Sequence, residues 1–143
     1  MCELLGLNFN EPVTCSFSLR VFSKRSNKHP DGWGIGRYNG KKFVITKEPI
    51  KSSTSALSKA VENNRSITSN IFIGHVRSAS GTEVSIFNTH SFSHKFRDHD
   101  FMLAHNDKVM KSVPIPSLNP SQIKFGRQFS HIYKKRNICF FAK

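Results

Sequence analysis

The sequence predicts an α+β domain with more strand than helix. Three observations predict it. Apolar runs of strand length recur through the first 106 residues, an Asn-Gly pair separates two of them, and only two short stretches carry a helical apolar stripe. Those stretches do not alternate with the strands in the βαβ manner of a parallel sheet. A length of 143 residues fits one domain.

Taken in order, residues 3–9 (Glu-Leu-Leu-Gly-Leu-Asn-Phe) read as a short buried strand. Asn10 is a candidate helix cap with Pro12 in the first turn, and Val13, Phe17, Val21 and Leu19 approximate an apolar stripe. Residues 24–32 are a polar loop. Trp33–Tyr38 and Lys42–Lys47 flank Asn39-Gly40, whose residue types accept the positive φ of a hairpin turn. Ser53 or Thr54 opens a second helix running to about Asn63, with Leu57, Ala60 and Val61 on one side. Residues 71–77 read as a strand that places Ile71, Ile73, His75 and Arg77 on one face. A long polar loop over 78–99 follows, then a strand over 100–106. Three prolines make 113–120 a loop, and 123–143 give only weak signals: a strand or helix near 129–133, the basic run Lys134-Lys135-Arg136, then Ile-Cys-Phe-Phe.

Charge divides the chain differently. The formal net charge is +13, yet all nine acidic residues lie at or before Asp107, and residues 108–143 carry eight Lys or Arg. Such a balance favours an anionic partner: nucleic acid, a membrane surface or small acidic ligands. Thirteen Phe supply bulky core candidates, so the chain does not read as disordered. Cys2, Cys15 and Cys139 form no disulfide framework. No basic leader with an apolar run opens the chain, and nothing approaches the ~20 apolar residues of a membrane span. The cytoplasm is the expected compartment.

Cys2 is the sharpest chemical candidate. Removal of Met1 leaves its thiol beside a free α-amine, whose ordinary pKa of roughly 7.7–8.0 lets a neutral fraction act as base. On its own residue type, Cys2 reads more readily as a small apolar residue packing at a strand start. Arg77 reads either as an anion-binding group or as a surface arginine at a strand end.

Five segments alter that balance: Met1-Cys2-Glu3-Leu4-Leu5-Gly6, His29-Pro30-Asp31-Gly32-Trp33-Gly34-Ile35-Gly36, Gly74-His75-Val76-Arg77-Ser78-Ala79-Ser80, Asn88-Thr89-His90-Ser91-Phe92 and Ala104-His105-Asn106. In that order they resemble the class II glutamine amidotransferases, which are N-terminal-nucleophile hydrolases, and most of all the stand-alone bacterial-type domains that cleave γ-glutamyl peptides. The resemblance implies a four-layer αββα sandwich, of which this chain would hold the N-terminal half. It implies that Cys2 attacks the side-chain amide of glutamine to form a γ-glutamyl thioester, and that Arg77 grips the substrate carboxylate. Asn106 and the backbone N–H of Asp107 would receive the oxyanion. Ser80 stands where the family often has a substrate-contacting threonine, and His90 and His105 would shape the site. Asp31, Gly32 and Trp33 match a structural turn. The resemblance implies a small-molecule substrate, no cofactor, and either hydrolysis or a separate synthase subunit to receive ammonia.

The likeness covers residues 1–107 well and thins to about 131, which sets a domain over 1–131 and a basic divergent tail over 132–143. Asp107 replaces the family's glycine. Phe129, in Gly126-Arg127-Gln128-Phe129-Ser130-His131, stands where an aspartate would pair with the substrate ammonium. These departures, and a length below the family's about 250 residues, leave an inactive truncated relative as the alternative. A third reading is a nucleic-acid binder using Phe125, Phe129 and Tyr133 among basic residues, though no nucleic-acid motif is present. His90, His94 and His99 with Asp98 and Asp100 match no common zinc spacing, so no metal is expected.

Overall fold

The computed structural model describes residues 2–96, 99–106 and 137–141. Within them the architecture is mixed α and β, with antiparallel sheets and few helices. Strand β1 (Glu3–Thr14) leads to helix α1 (Ser16–Ser23) and a short 3-10 turn (Lys24–Asn27). The hairpin β2 (Trp33–Tyr38) and β3 (Phe43–Glu48) follows, then α2 (Ala56–Asn63), β4 (Thr68–Val76), β5 (Phe92–Phe96), β6 (His99–His105) and β7 (Asn137–Phe141). One sheet has the order β1-β4-β2-β3 and the other β5-β6-β7, and every pairing is antiparallel.

The first sheet separates two cores. On one face Phe72 and Val76 of β4 and Trp33 and Ile35 of β2 pack against Cys15, Leu19 and Phe22 of the α1 segment and Val61 of α2. On the other face Phe43 and Ile73 meet Met102 and Ala104 of β6. The described residues thus form three layers: helices, sheet, sheet. Close approach of the second sheet requires glycine at Gly36, where an added Cβ would lie 2.0 Å from Met102 Sδ.

Several expectations shift. The helix expected from Asn10 starts instead after Cys15, because β1 runs on to Thr14. Pro12 sits in an irregular stretch of this edge strand, between the Asn8–Ile71 and Val13–Ser69 pairings. A missing N–H is harmless there. Asn70 holds that stretch by donating to the carbonyls of Phe9 and Asn10. The buried stripe of α1 is Cys15, Leu19 and Phe22, spaced for a helix, while Phe17 and Val21 face solvent. The hairpin forms as expected, but residues 39–42 make the turn: Asn39 Oδ1 accepts the N–H groups of Lys41 and Lys42, and Gly40 has φ +90°. Ser55, not Ser53 or Thr54, caps α2 and accepts the Ser58 N–H at 2.8 Å. Leu57 is exposed, and Ser58 is the buried residue of that helix. The loop expected over 78–99 contains a 3-10 turn (Ile86–Asn88) and β5. The loop expected over 113–120, the element near 129–133 and the basic run 134–136 lie outside the described residues.

Candidate active site

The ladder of β4 ends between the starts of two neighbours. Glu3 of β1 and Trp33 of β2 both pair with Val76, so Cys2 and Gly32 flank the next residue, Arg77. The Arg77 N–H donates to Gly32 O at 2.8 Å, and Asp31 N–H donates to Arg77 O at 3.0 Å. Cys2 Sγ touches the following peptide: it accepts the Ser78 N–H at 3.4 Å and faces Ser78 O at 3.6 Å. Asp31 Oδ2 accepts the Ala79 N–H at 2.6 Å, which fixes the chain as it leaves the strand.

Arg77 is only 4% exposed, which overturns its reading as a surface residue. Its guanidinium donates to Asp31 O, Thr82 Oγ1 and Glu83 O, at 3.3, 2.7 and 2.9 Å. All three acceptors are neutral. Among the described residues no carboxylate forms an ion pair with this buried cation. It therefore keeps an electrostatic preference for an anion.

Three imidazoles continue from this point across the gap between the sheets. The His75 and His90 ring centroids are 4.4 Å apart, and those of His90 and His105 are 4.3 Å apart. His75 is fully buried and His90 nearly so. Burial, reinforced by the charge of His105, pushes His75 down to about 3; burial, reinforced by His75, pushes His90 down to about 2. Both are neutral at physiological pH. Lys47 straddles the same segment, donating to Thr89 O and Ser91 O at 2.6 and 3.2 Å and lying 4.5 Å above the Phe92 ring. Burial lowers its pKa as well. Gly34 leaves the space that His90 O occupies, since a Cβ there would lie 1.9 Å from that oxygen. Asn106 ends β6 beside His105, and its Oδ1 is buried with no partner among the described residues.

The fold therefore brings Cys2, Arg77 and the Ser78 peptide together, and links His90 and His105 to them through His75. Ser80 lies exposed on the loop beyond Ala79. Asp107 and Phe129 fall outside the described residues. The sequence reading assigned no role to His75 or Lys47. His75 was legible from the alternation that placed it on one face with Ile73; Lys47 gave no signal, since its meaning depends on a segment 42 residues away. No group of three His, Cys, Asp or Glu among the described residues is arranged to hold a metal ion. No helix among them is long and apolar enough to cross a membrane.

The family described as glutamine amidotransferases class-II matches residues 1–125. The chain belongs to the class II glutamine amidotransferases. It is 36% identical over 125 residues to the Escherichia coli protein named "Putative glutamine amidotransferase YafJ", covering 84% of this chain and 49% of that protein. An uncharacterized protein of Methanocaldococcus jannaschii is 44% identical over 110 residues, which are 77% of this chain and 31% of that one. The crystal structure of a "predicted glutamine amidotransferase" from Pseudomonas aeruginosa superposes with a TM-score of 0.50 at 25% identity, covering 82% of this chain and 47% of that one. The chain thus spans between 31% and 49% of the length of these proteins.

Proposed function

We infer that this class II amidotransferase chain cleaves the side-chain amide of glutamine, or the γ-glutamyl bond of a small peptide, with Cys2 as nucleophile. The observation that carries this reading is the buried Arg77 cation, held among the described residues by neutral acceptors, one peptide away from the Ser78 backbone that contacts Cys2 Sγ. Removal of Met1 frees the Cys2 α-amine. The amine takes the thiol proton while Sγ attacks the amide carbon, and that proton leaves with ammonia from glutamine or with the amine of the second residue from a γ-glutamyl peptide. Water then hydrolyses the thioester, releasing the γ-carboxylate and restoring the thiol. Arg77 holds the α-carboxylate of the substrate with its planar fork. Asn106 donates its side-chain amide to the oxyanion together with the N–H of residue 107. Ser80 and His90 border the substrate, His90 as a neutral group that shapes the pocket.

In this reading the three described layers belong to a four-layer αββα sandwich, and the domain extends over residues 1–131. Ammonia passes to water or to a separate synthase subunit. The test is release of glutamate and ammonia from glutamine, and of glutamate and the second amino acid from a γ-glutamyl dipeptide, with intact mass establishing that Met1 is gone. Turnover that vanishes in Cys2→Ala is the expected result. A folded, Met-processed protein that releases glutamate from neither substrate overturns it and leaves the chain an inactive relative.

A further inference from the structure

A nucleophile at the end of a chain is tethered from one side only, and chain ends fray unless something ties them down. Cys2 itself has two long sulfur contacts, both to the Ser78 peptide. Its neighbour Glu3 is held far more firmly. Arg25 Nε donates to Glu3 Oε2 at 2.6 Å and Arg25 Nη2 to Oε1 at 2.9 Å, a two-pronged ion pair, and His29 Nε2 lies 3.1 Å from the same Oε1. Both carboxylate oxygens are thus engaged from one short segment, and the Glu3 carboxyl is held below its ordinary range, above all by the Arg25 hydrogen bond. The same segment continues to Asp31, which fixes Ala79 and the Arg77 ladder. Residues 25–31 therefore grip both the strand that carries Cys2 and the peptide that Cys2 touches.

We propose that Arg25 and His29, acting through Glu3, are positioning residues for Cys2. The proposal rests on the reading of Cys2 as nucleophile. Glu3 points to the helix side of the sheet, so the clamp touches neither substrate nor the reacting atoms. Its function is to hold the first residues of β1 in register, so that the thiol and the α-amine stay beside Ser78 and Arg77. An ion pair as exposed as this one, with Arg25 55% exposed, adds little to global stability. Its signature is local.

The experiment compares the full chain, Met1 removed, with Arg25→Gln, Glu3→Gln, Arg25→Lys and the exchange Glu3→Arg/Arg25→Glu. Three quantities are read: the pH profile of Cys2 alkylation by iodoacetamide, followed by peptide mass; amide exchange at Leu4 and Leu5; and kcat and KM for ammonia release. In Arg25→Gln alkylation at a given pH speeds, because the thiol is no longer held against the Ser78 peptide. Exchange at Leu4 and Leu5 speeds about tenfold, and kcat falls roughly tenfold with KM nearly unchanged. Arg25→Lys recovers part of each effect and the exchanged pair most of the exchange protection, while the unfolding midpoint in urea stays near wild type. Wild-type alkylation and exchange in both Arg25→Gln and Glu3→Gln overturn the proposal, as does a loss of protection spread over the whole sheet. If the wild type releases glutamate from neither glutamine nor a γ-glutamyl dipeptide, the reading of Cys2 fails, while alkylation and exchange still decide the clamp.

Discussion

Strand β4 has two faces, and they have been put to different uses. Phe72 and Val76 point to the helices and pack there in an apolar cluster. Ile71 and Ile73 begin the opposite face in the same apolar manner, but the next two residues on that side are buried polar groups: His75, whose ring lies near His90, and Arg77, held by Asp31, Thr82 and Glu83. The neighbours follow suit. Trp33 and Ile35 of β2 face the helices, while Gly34 and Gly36 face the second sheet and make room for His90 O and Met102. The centre of the helix face is therefore built for burial. The other face gives up apolar contact toward one end and gathers imidazoles, a guanidinium and the Cys2 thiol there. Such a concentration of desolvated titratable groups at one end of an interface is characteristic of a functional site.

The sharpest way to separate the faces is to remove a large side chain from the first. Phe72 is fully buried among α1, α2 and the sheet. Phe72→Ala should lower unfolding free energy by about 3–5 kcal/mol, the usual loss for a buried phenyl ring. Turnover per folded molecule should hardly change. A urea midpoint within experimental error of wild type would show that the helix face does not carry the stability assigned to it.

Acid should act on the other face. In the unfolded chain a histidine titrates near 6.5, whereas His75 and His90 are pushed down to about 3 and about 2 in the fold. Between those limits the unfolded chain holds protons that the folded chain refuses, so stability falls as pH drops below about 6.5 and is level above it. Each histidine contributes a slope of up to about 1.4 kcal/mol per pH unit. Lys47 from β3, Arg77 just after β4 and His105 from β6 face the pair and oppose its charging. Glu3, with a lowered pKa, adds a further loss only below its ordinary 4.5. Urea unfolding at pH 7.5, 6 and 5 reads the slope, and His90→Gln should flatten it. An unfolding midpoint that does not move across that range would mean that the imidazoles are solvated.

Much of this arrangement was legible before any coordinates. Period-two alternation located both faces of β4, and the Asn-Gly pair located the β2–β3 turn. The ordered segments around Cys2, Arg77, His90 and Asn106 identified the family. What alternation could not show was where β1 stopped. Glu11-Pro12 resembles a helix start locally, and only the edge position of β1 explains why the strand runs on to Thr14. The burial of Arg77 was equally hidden, since its acceptors come from Asp31 and from a loop beyond the strand. Partners distant in sequence, such as Lys47 with the Thr89 and Ser91 carbonyls, leave no local pattern at all.

A smaller effect tests whether Arg77 recognises an anion through its shape as well as its charge. Arg77→Lys keeps the cation but loses the fork that can pair two oxygens at once. The expected outcome is a 10- to 100-fold fall in kcat/KM for glutamine, roughly 1.4–2.8 kcal/mol, carried mainly by KM. The control lies on the helix face: Leu19→Ala should lower stability and leave KM alone. Equal KM values for Arg77→Lys and wild type would remove Arg77 from substrate binding.

The mildest test returns to the helix face and to a residue that the sequence placed imperfectly. Ser55 Oγ accepts the Ser58 N–H at the start of α2 and also donates to Glu48, whose carboxylate accepts the Trp33 indole N–H at 3.1 Å. One hydroxyl thus joins helix cap, strand end and core tryptophan. Ser55→Ala should cost about 1 kcal/mol or slightly more, at the upper side of the usual capping loss because Glu48 also loses a donor. Thr54 is exposed, and its hydroxyl donates only to the nearby Lys51 carbonyl, so Thr54→Ala should stay within about 0.5 kcal/mol. Paired urea titrations measure both. Because the whole network lies on the side of the sheet away from His75 and Arg77, neither change should move KM; a shift in KM for Ser55→Ala would mean that the two faces of β4 are not energetically separate.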